Sequence, residues 1–187
     1  MNIIMIRHGA TAGNLERRYV GSTDEPLCAE GIEQIRQGRY PCVEQLVTSP
    51  MTRCIETAAL IYPALPPMII DGLRECDFGA FEYMNYQELS GDRDYQAYID
   101  SGGEASFPLG ESKARFCARS CAAFEVAMDG LASDRDTAFV VHGGTIMAVL
   151  STYAEPARSY FDWQLKNGGM VVLDASRWAN AHILKRM

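Results

Sequence analysis

The chain has 187 residues, 48% hydrophobic and 22% charged, ordinary values for one globular domain able to bury a full core. A formal net charge of −7 argues against nucleic acid as a partner, and no apolar run is long enough to span a bilayer. An anionic substrate would need a local basic pocket, because the overall charge repels it.

Residues 2–6 are apolar and β-branched and predict a buried strand, which runs directly into Arg7-His8-Gly9. An N-terminus that opens on a strand gives no sign of a signal peptide. Residues 29–39 read as a helix, supported by Glu30, Glu33 and Gln34 and weakened by Gly31 and Gly38. A second strand is expected at 45–48. A strong helix follows at 51–62, with Met51, Ile55, Ala58, Ala59 and Tyr62 along one face. Ser49 and Pro50 look like its N-cap and first turn. Pro66 and Pro67 precede a short strand at 68–71, and tyrosine-rich helical pieces are expected over 86–100. Gly102-Gly103 and Pro108-Leu109-Gly110 bound a loop. A helix at 112–131, a strand at 137–142, a helix at 145–154 and strands near 170–174 and 181–185 complete the chain. The alternation predicts an α/β fold, a three-layer α/β/α sandwich around a mostly parallel sheet. A single domain over 1–187 is expected, with the irregular, aromatic stretch 76–111 as an insert or lid.

The six cysteines form neither a metal-binding nor a disulfide pattern. Cys117 and Cys121 share a helical stripe with Phe124, Met128 and Leu131, so they read as core. Reduced, buried thiols in a cytoplasmic protein are the favoured reading. Cys54 and Cys76 adjoin candidate site residues and could sense oxidation, but nothing favours that over packing.

Four segments carry candidate chemistry. In the first, His8 leaves a strand end between a guanidinium and a glycine, where a neutral imidazole could attack an anion held by Arg7. Thr11 and Asn14 could donate to a phosphate oxygen, and Gly9 would let the backbone approach. Taken alone, the segment reads better as a polar turn without a ligand. In the second, residues 48–58, Arg53 stands in the first turn of a helix, where the dipole already favours anions. It asks for a counter-charge, which a bound phosphate or Glu56 could supply. In the third, residues 73–82, Glu75, Asp77 and Glu82 stand among apolar neighbours. One of them could have a raised pKa and donate a proton, and a solvated acidic loop is the alternative. The fourth, residues 138–145, repeats the first: apolar strand, His142, glycine turn, helix. Two of three histidines thus lie at strand C-termini before glycine, which packing does not explain. His182 is assigned to the last strand with a structural role.

With these segments in order, the chain resembles the histidine phosphatase superfamily, in its phosphoglycerate mutase-like branch. The pattern Arg-His-Gly-x-Thr/Ser-x-x-Asn is read from Arg7 to Asn14, and Ser-Pro-x-x-Arg-x-x-x-Thr-Ala over 49–58. Leu-x-Glu-x-x-x-Gly-x-Phe/Trp-Glu is read over 73–82, Gly-Glu-Ser over 110–112 and His-Gly-Gly over 142–144. The segment 18–27 resembles the family's substrate-facing loop, and Gly21 is placed with the substrate-binding residues. The resemblance implies that His8 is the nucleophile and forms a phosphohistidine. It implies that Arg7, Arg53 and His142 hold the phosphoryl group, with Asn14 and the Gly143 N–H adding hydrogen bonds. Glu75 would protonate the leaving oxygen and then activate water. No metal and no cofactor is implied. The implied partner is a small-molecule phosphomonoester, and a homodimer is allowed but not specified.

Two departures from the family's usual pattern stand out. Ala10 occupies a position that is often Glu or Gln, which would remove a polar contact at the pocket rim. Tyr83 follows the Phe-Glu pair where glycine is frequent. Mutases of the family have a larger insert, so the short insert here favours hydrolysis over mutase chemistry. Residues 18–24 with Phe78, Phe81, Tyr83 and Tyr86 resemble small phosphatases acting on α-ribazole 5′-phosphate in cobalamin biosynthesis, whose base such aromatics could stack on. Those aromatics could equally be the insert's own core. Broad action on sugar phosphates or phosphoserine is the alternative, and a non-catalytic phosphate-binding module is the alternative of another class.

Overall fold

In the computed structural model, which describes residues 1–187, the chain opens β1 (Asn2–Arg7), α1 (Ala12–Leu15), α2 (Ala29–Gln37), β2 (Gln45–Thr48), α3 (Thr52–Ile61) and β3 (Met68–Ile69). It continues α4 (Arg93–Asp100), α5 (Lys113–Asp129), β4 (Thr137–Val141) and α6 (Gly143–Tyr153). It closes β5 (Ala154–Glu155), β6 (Met170–Arg177), α7 (Trp178–Ala181) and β7 (Ile183–Arg186). All strands join one sheet in the order β3-β2-β4-β1-β6-β7-β5. The ladders β3-β2, β2-β4, β4-β1 and β7-β5 are parallel, and β1-β6 and β6-β7 are antiparallel. The expected α/β sandwich is therefore present, with its parallel half on the site's side of the sheet.

The period of two along the central strands divides the core. Ile3, Met5, Phe139 and Val141 face α5 and α6, where they meet Phe124, Ile146 and Val149. Ile4, Ile6, Ala138 and Val140 face the other way, onto Cys54, Ala58 and Tyr62. Both faces are covered, which is why β1 and β4 read as unbroken apolar runs. A third cluster, Cys76, Phe81, Leu89 and Phe107, belongs to residues 76–111 and closes onto Phe116 of α5 and Ala148 of α6.

Several boundaries differ from the sequence reading. Ser49 does not cap α3: Met51 is the N-cap residue and has no side-chain bond, while Asp24 accepts from the Thr52 N–H at 2.8 Å. A cap supplied by a distant loop leaves no local signature. Residues 86–91 are turns, so only Arg93–Asp100 is helical in the tyrosine-rich stretch. Helix α6 starts at Gly143 with His142 as its N-cap, so the two glycines form the first turn of the helix. The buried stripe of α5 is Phe116, Ser120, Ala123, Phe124, Ala127 and Met128, which keeps the expected Phe124 and Met128 and leaves Cys117 and Cys121 at its margin. His182 is not in a strand: it ends α7 at φ 49 and stacks on Trp178.

Candidate active site

The sheet brings the two histidines together. Register pairs Arg7 of β1 with Val141 of β4, so His8 and His142 leave adjacent parallel strands at the same level. Their ring centroids lie 5.2 Å apart, close to the spacing of neighbouring strands. Strand β2, on the other side of β4, delivers Ser49, whose hydroxyl lies 2.7 Å from His142 Nε2. The site thus sits at the carboxyl ends of parallel strands, where open α/β sheets bind ligands.

His8 is nearly fully buried, and its Nδ1 lies 2.7 Å from the Gly9 carbonyl. A carbonyl only accepts, so Nδ1 carries the proton and Nε2 keeps its lone pair. Burial first, then the charges of Arg53 and Arg7, hold the His8 pKa well below the usual imidazole value, against the pull of the Gly9 bond. Burial, again ahead of Arg53, does the same to His142. Both rings therefore favour the neutral form.

The two arginines are held by carbonyls instead of carboxylates. Arg53 is fully buried and donates to Thr23 O at 2.8 Å and Gly21 O at 2.9 Å. Arg7 donates from Nη1 to Leu165 O at 2.7 Å. Neither has an ion-pair partner within 4.0 Å. The buried Nε of each has no hydrogen-bond partner at all. Glu56 does not neutralise Arg53, because its carboxylate accepts from the Leu27 N–H at 2.8 Å. Two guanidiniums with buried, unused Nε donors are costly unless an anion completes them.

Of the three carboxylates in the acidic segment, only Glu75 faces the cavity. Its oxygens accept from the Cys76 N–H at 2.9 Å and the Gly144 N–H, at the N-terminus of α6, at 3.1 Å. Burial raises its pKa, outweighing those bonds and the charges of Arg53 and Arg7. Glu82 instead clamps the backbone of Gly21 and Thr23, and Asp77 caps the Gly79 N–H. A β-carbon on Gly144 would lie 2.3 Å from Glu75 Oε1 and 2.9 Å from Phe116, so only glycine admits the carboxylate here.

A cavity of about 320 Å³ opens over this floor. Arg7, Asn14, Glu75, Gly143 and Gly144 are among its lining residues; His8, Arg53 and His142 are buried and do not line it, although His8 and His142 adjoin Arg7 and Gly143 in the chain. As the first residue of α6, Gly143 has an N–H with no intrahelical acceptor. The outer wall is aromatic, with Tyr19, Phe78, Tyr98, Phe107, Tyr160 and Phe161. Phe78 is the only one of the four predicted stacking residues in that wall: Phe81 is core, and Tyr83 and Tyr86 lie outside the cavity.

Three expected substrate contacts are used elsewhere. The Gly9 N–H donates to Thr57 Oγ1 at 3.0 Å, and a β-carbon there would meet Ile35 at 2.9 Å, so Gly9 serves packing against α2. Thr11 is buried and caps α1, accepting from the Asn14 N–H. The Gly21 N–H is bound by Glu82, and a β-carbon would lie 1.9 Å from Cys76 O. These residues shape the walls without touching the cavity. Ala10 is buried with its backbone against Gly31 of α2, and it does not line the cavity. Tyr83 adopts φ 61, the left-handed conformation that suits glycine, and is tied down by Tyr19 O and Glu25. Burial pushes the Cys54 and Cys76 thiols up, so neither is a thiolate.

The sequence reading missed the segment Leu165, Asn167 and Gly168, which touches the first segment repeatedly. Its contacts are mostly to backbone carbonyls, which leave no mark in side-chain patterns.

A family model described as "Histidine phosphatase superfamily (branch 1)" matches residues 3–183. A protein of Klebsiella pneumoniae (strain 342) named "Probable phosphoglycerate mutase GpmB" is 29% identical over 160 residues, covering 81% of this chain and 74% of its own. A broad-specificity phosphatase of Saccharomyces cerevisiae is 31% identical over 164 residues, covering 80% of this chain and 69% of its own. The crystal structure of the alpha-ribazole phosphatase from Shigella flexneri superposes with a TM-score of 0.85 at 24% identity. It covers 100% of this chain and 95% of that one, which shows a shared fold.

Proposed function

We propose, from the premise that the chain belongs to the histidine phosphatase superfamily (branch 1), that it hydrolyses a small phosphomonoester through a phosphohistidine on His8. The observation that carries this reading is that Arg7 and Arg53 each bury an Nε that finds no partner, beside a histidine with a free Nε2. A phosphate dianion supplies what they lack. Phosphoryl transfer depends chiefly on positioning and on charge at the equatorial oxygens, which Arg7, Arg53, His142, Asn14 and the Gly143 N–H would hold. His8 Nε2 attacks phosphorus as the P–O bond to the leaving group breaks. Glu75, whose pKa burial raises, gives its proton to that oxygen. The resulting carboxylate then takes a proton from water as the water attacks the phosphohistidine, restoring His8 and releasing phosphate.

The outer cavity supports hydrolysis of an ester with a neutral, planar leaving group. A phosphoglycerate carries a carboxylate that needs a cation of its own. Arg18 is committed to Glu16 and Glu88 at 2.6 and 2.7 Å, and Lys113 to Glu104. The remaining wall is aromatic, suited to a benzimidazole riboside such as α-ribazole 5′-phosphate. The six free cysteines suit a reducing, cytoplasmic setting, and no helix is long and apolar enough to cross a membrane.

The test is turnover of p-nitrophenyl phosphate in EDTA, followed by a panel of α-ribazole 5′-phosphate, phosphoserine, sugar phosphates and 3-phosphoglycerate. We expect activity in chelator, inhibition by vanadate and the highest kcat/KM on α-ribazole 5′-phosphate. Loss in EDTA restored by Mg²⁺ would refute the mechanism, and isomerisation of 3-phosphoglycerate would refute the hydrolase assignment.

A further inference from the structure

The turn between Trp163 and β6 packs under the nucleophile, and one side chain of it reaches three groups there. Asn167 Nδ2 lies 2.9 Å from Asn14 Oδ1, 3.2 Å from His8 O and 3.4 Å from Gly9 O. Chemistry fixes both amides. Two backbone carbonyls can only accept, so the nitrogen of Asn167 must face them. Asn14 Oδ1 also accepts from the Thr11 N–H at 3.3 Å, so its oxygen points inward. With its oxygen engaged twice, Asn14 has only its NH₂ group to offer the cavity it lines. The same turn supports its neighbours: Leu165 O takes Arg7 Nη1 at 2.7 Å, and the Gly168 N–H bonds Arg7 O and His8 O at 3.0 and 3.1 Å.

We propose that Asn167 is a positioning residue for phosphoryl transfer, which holds the Asn14 amide with its NH₂ toward the transferring phosphate. This rests on the reading of Asn14 as a phosphate donor given above. Without Asn167, Asn14 keeps one weak bond to Thr11 and its amide is free to rotate. Half of its orientations then turn a carbonyl oxygen toward the dianion. Asn167→Asp makes the sharper change at constant size. A carboxylate cannot donate to Asn14 Oδ1, and it would draw the Asn14 NH₂ away from the phosphate.

The experiment measures pre-steady-state phosphorylation by p-nitrophenyl phosphate, vanadate affinity and thermal midpoint. It compares the parent protein with Asn167→Ala, Asn167→Asp, Asn14→Ala and the Asn14→Ala/Asn167→Ala double variant. We expect about 10-fold slower phosphorylation in Asn167→Ala, the worth of one oriented hydrogen bond. At least that loss is expected in Asn167→Asp, with weaker vanadate binding in both. In the Asn14→Ala background the second change should cost no more than about 2-fold, because its target is gone. A merely structural role would give losses that track the midpoint and multiply in the double variant, and that result overturns the proposal. Parent-like rates in Asn167→Asp overturn it as well, and they do so even where the alanine variant is too unstable to assay. If the parent forms no phosphohistidine, the underlying reading fails and the proposal falls with it.

Discussion

At the floor of the cavity, Arg7 and Arg53 have no carboxylate within ion-pair distance, 4.0 Å. At its mouth, Arg18 is paired with Glu16 and Glu88 and lies over the Tyr83 ring, while Lys113 is paired with Glu104 and lies over Tyr160. The floor has unused donors among buried polar groups, and the mouth has an aromatic wall with satisfied cations. The difference follows the substrate. Every phosphomonoester presents the same dianion to the floor, so charge there serves any member of the class. The mouth meets the leaving group, where shape and apolar contact discriminate. Unpaired charge is tolerated only in the half where the ligand itself is the counter-ion.

The largest effect should come from the floor. His8→Ala is expected to lower turnover by on the order of 10⁴–10⁶-fold and to abolish the acid-labile, base-stable phosphoenzyme. Substantial turnover in that variant would remove His8 as nucleophile. Glu75 stands where the two halves meet, so its effect should depend on the leaving group. Glu75→Gln should slow phosphorylation by an alkyl phosphate about 10²–10⁴-fold and spare most of the rate on p-nitrophenyl phosphate. Equal losses in that single-turnover step would reject Glu75 as the acid, and Glu82, already bound to Gly21 and Thr23, is poorly placed to replace it.

At the mouth, Phe161 is 53% exposed and lines the cavity, so it can be truncated without opening the core. Phe161→Ala should raise KM for an aromatic phosphomonoester about 2–10-fold and leave the inhibition constant of inorganic phosphate unchanged. A parallel change in both constants would erase the division between floor and mouth.

The smallest effect is on stability. His142 is buried neutral, with a folded pKa below its ordinary 6.5. The unfolded chain therefore binds the proton first, and stability is full above about 6.5 and lost as pH falls toward the folded value. Between pH 7.5 and 5.5 the parent should lose about 1.4 kcal/mol more in urea unfolding than His142→Gln. An equal loss in the two proteins would show that His142 does not resist protonation.

Much of this was legible in the chain. The unbroken apolar runs within 2–6 and 137–142 announced buried strands, and the matching His-Gly endings announced a shared site. Arg53 in a first helical turn was legible for the same local reason. Ala10 and Gly21 were not, because their side of the wall is set by what packs against them: Gly31 in one case, Cys76 O and Glu82 in the other. Nor could spacing choose among Glu75, Asp77 and Glu82, since all three fit an acidic loop.

Periodicity, turn residues and charge placement act over a few positions, so the sequence by itself determined the elements, the family pattern and the two histidines. The tertiary structure alone decided that β4 pairs with β1 in a register placing His142 beside His8. It also decided that Asn167, 153 positions from Asn14, closes the amide pair beneath the nucleophile. Those arrangements depend on strand order and on backbone carbonyls brought together by packing. No run of neighbouring side chains encodes either one.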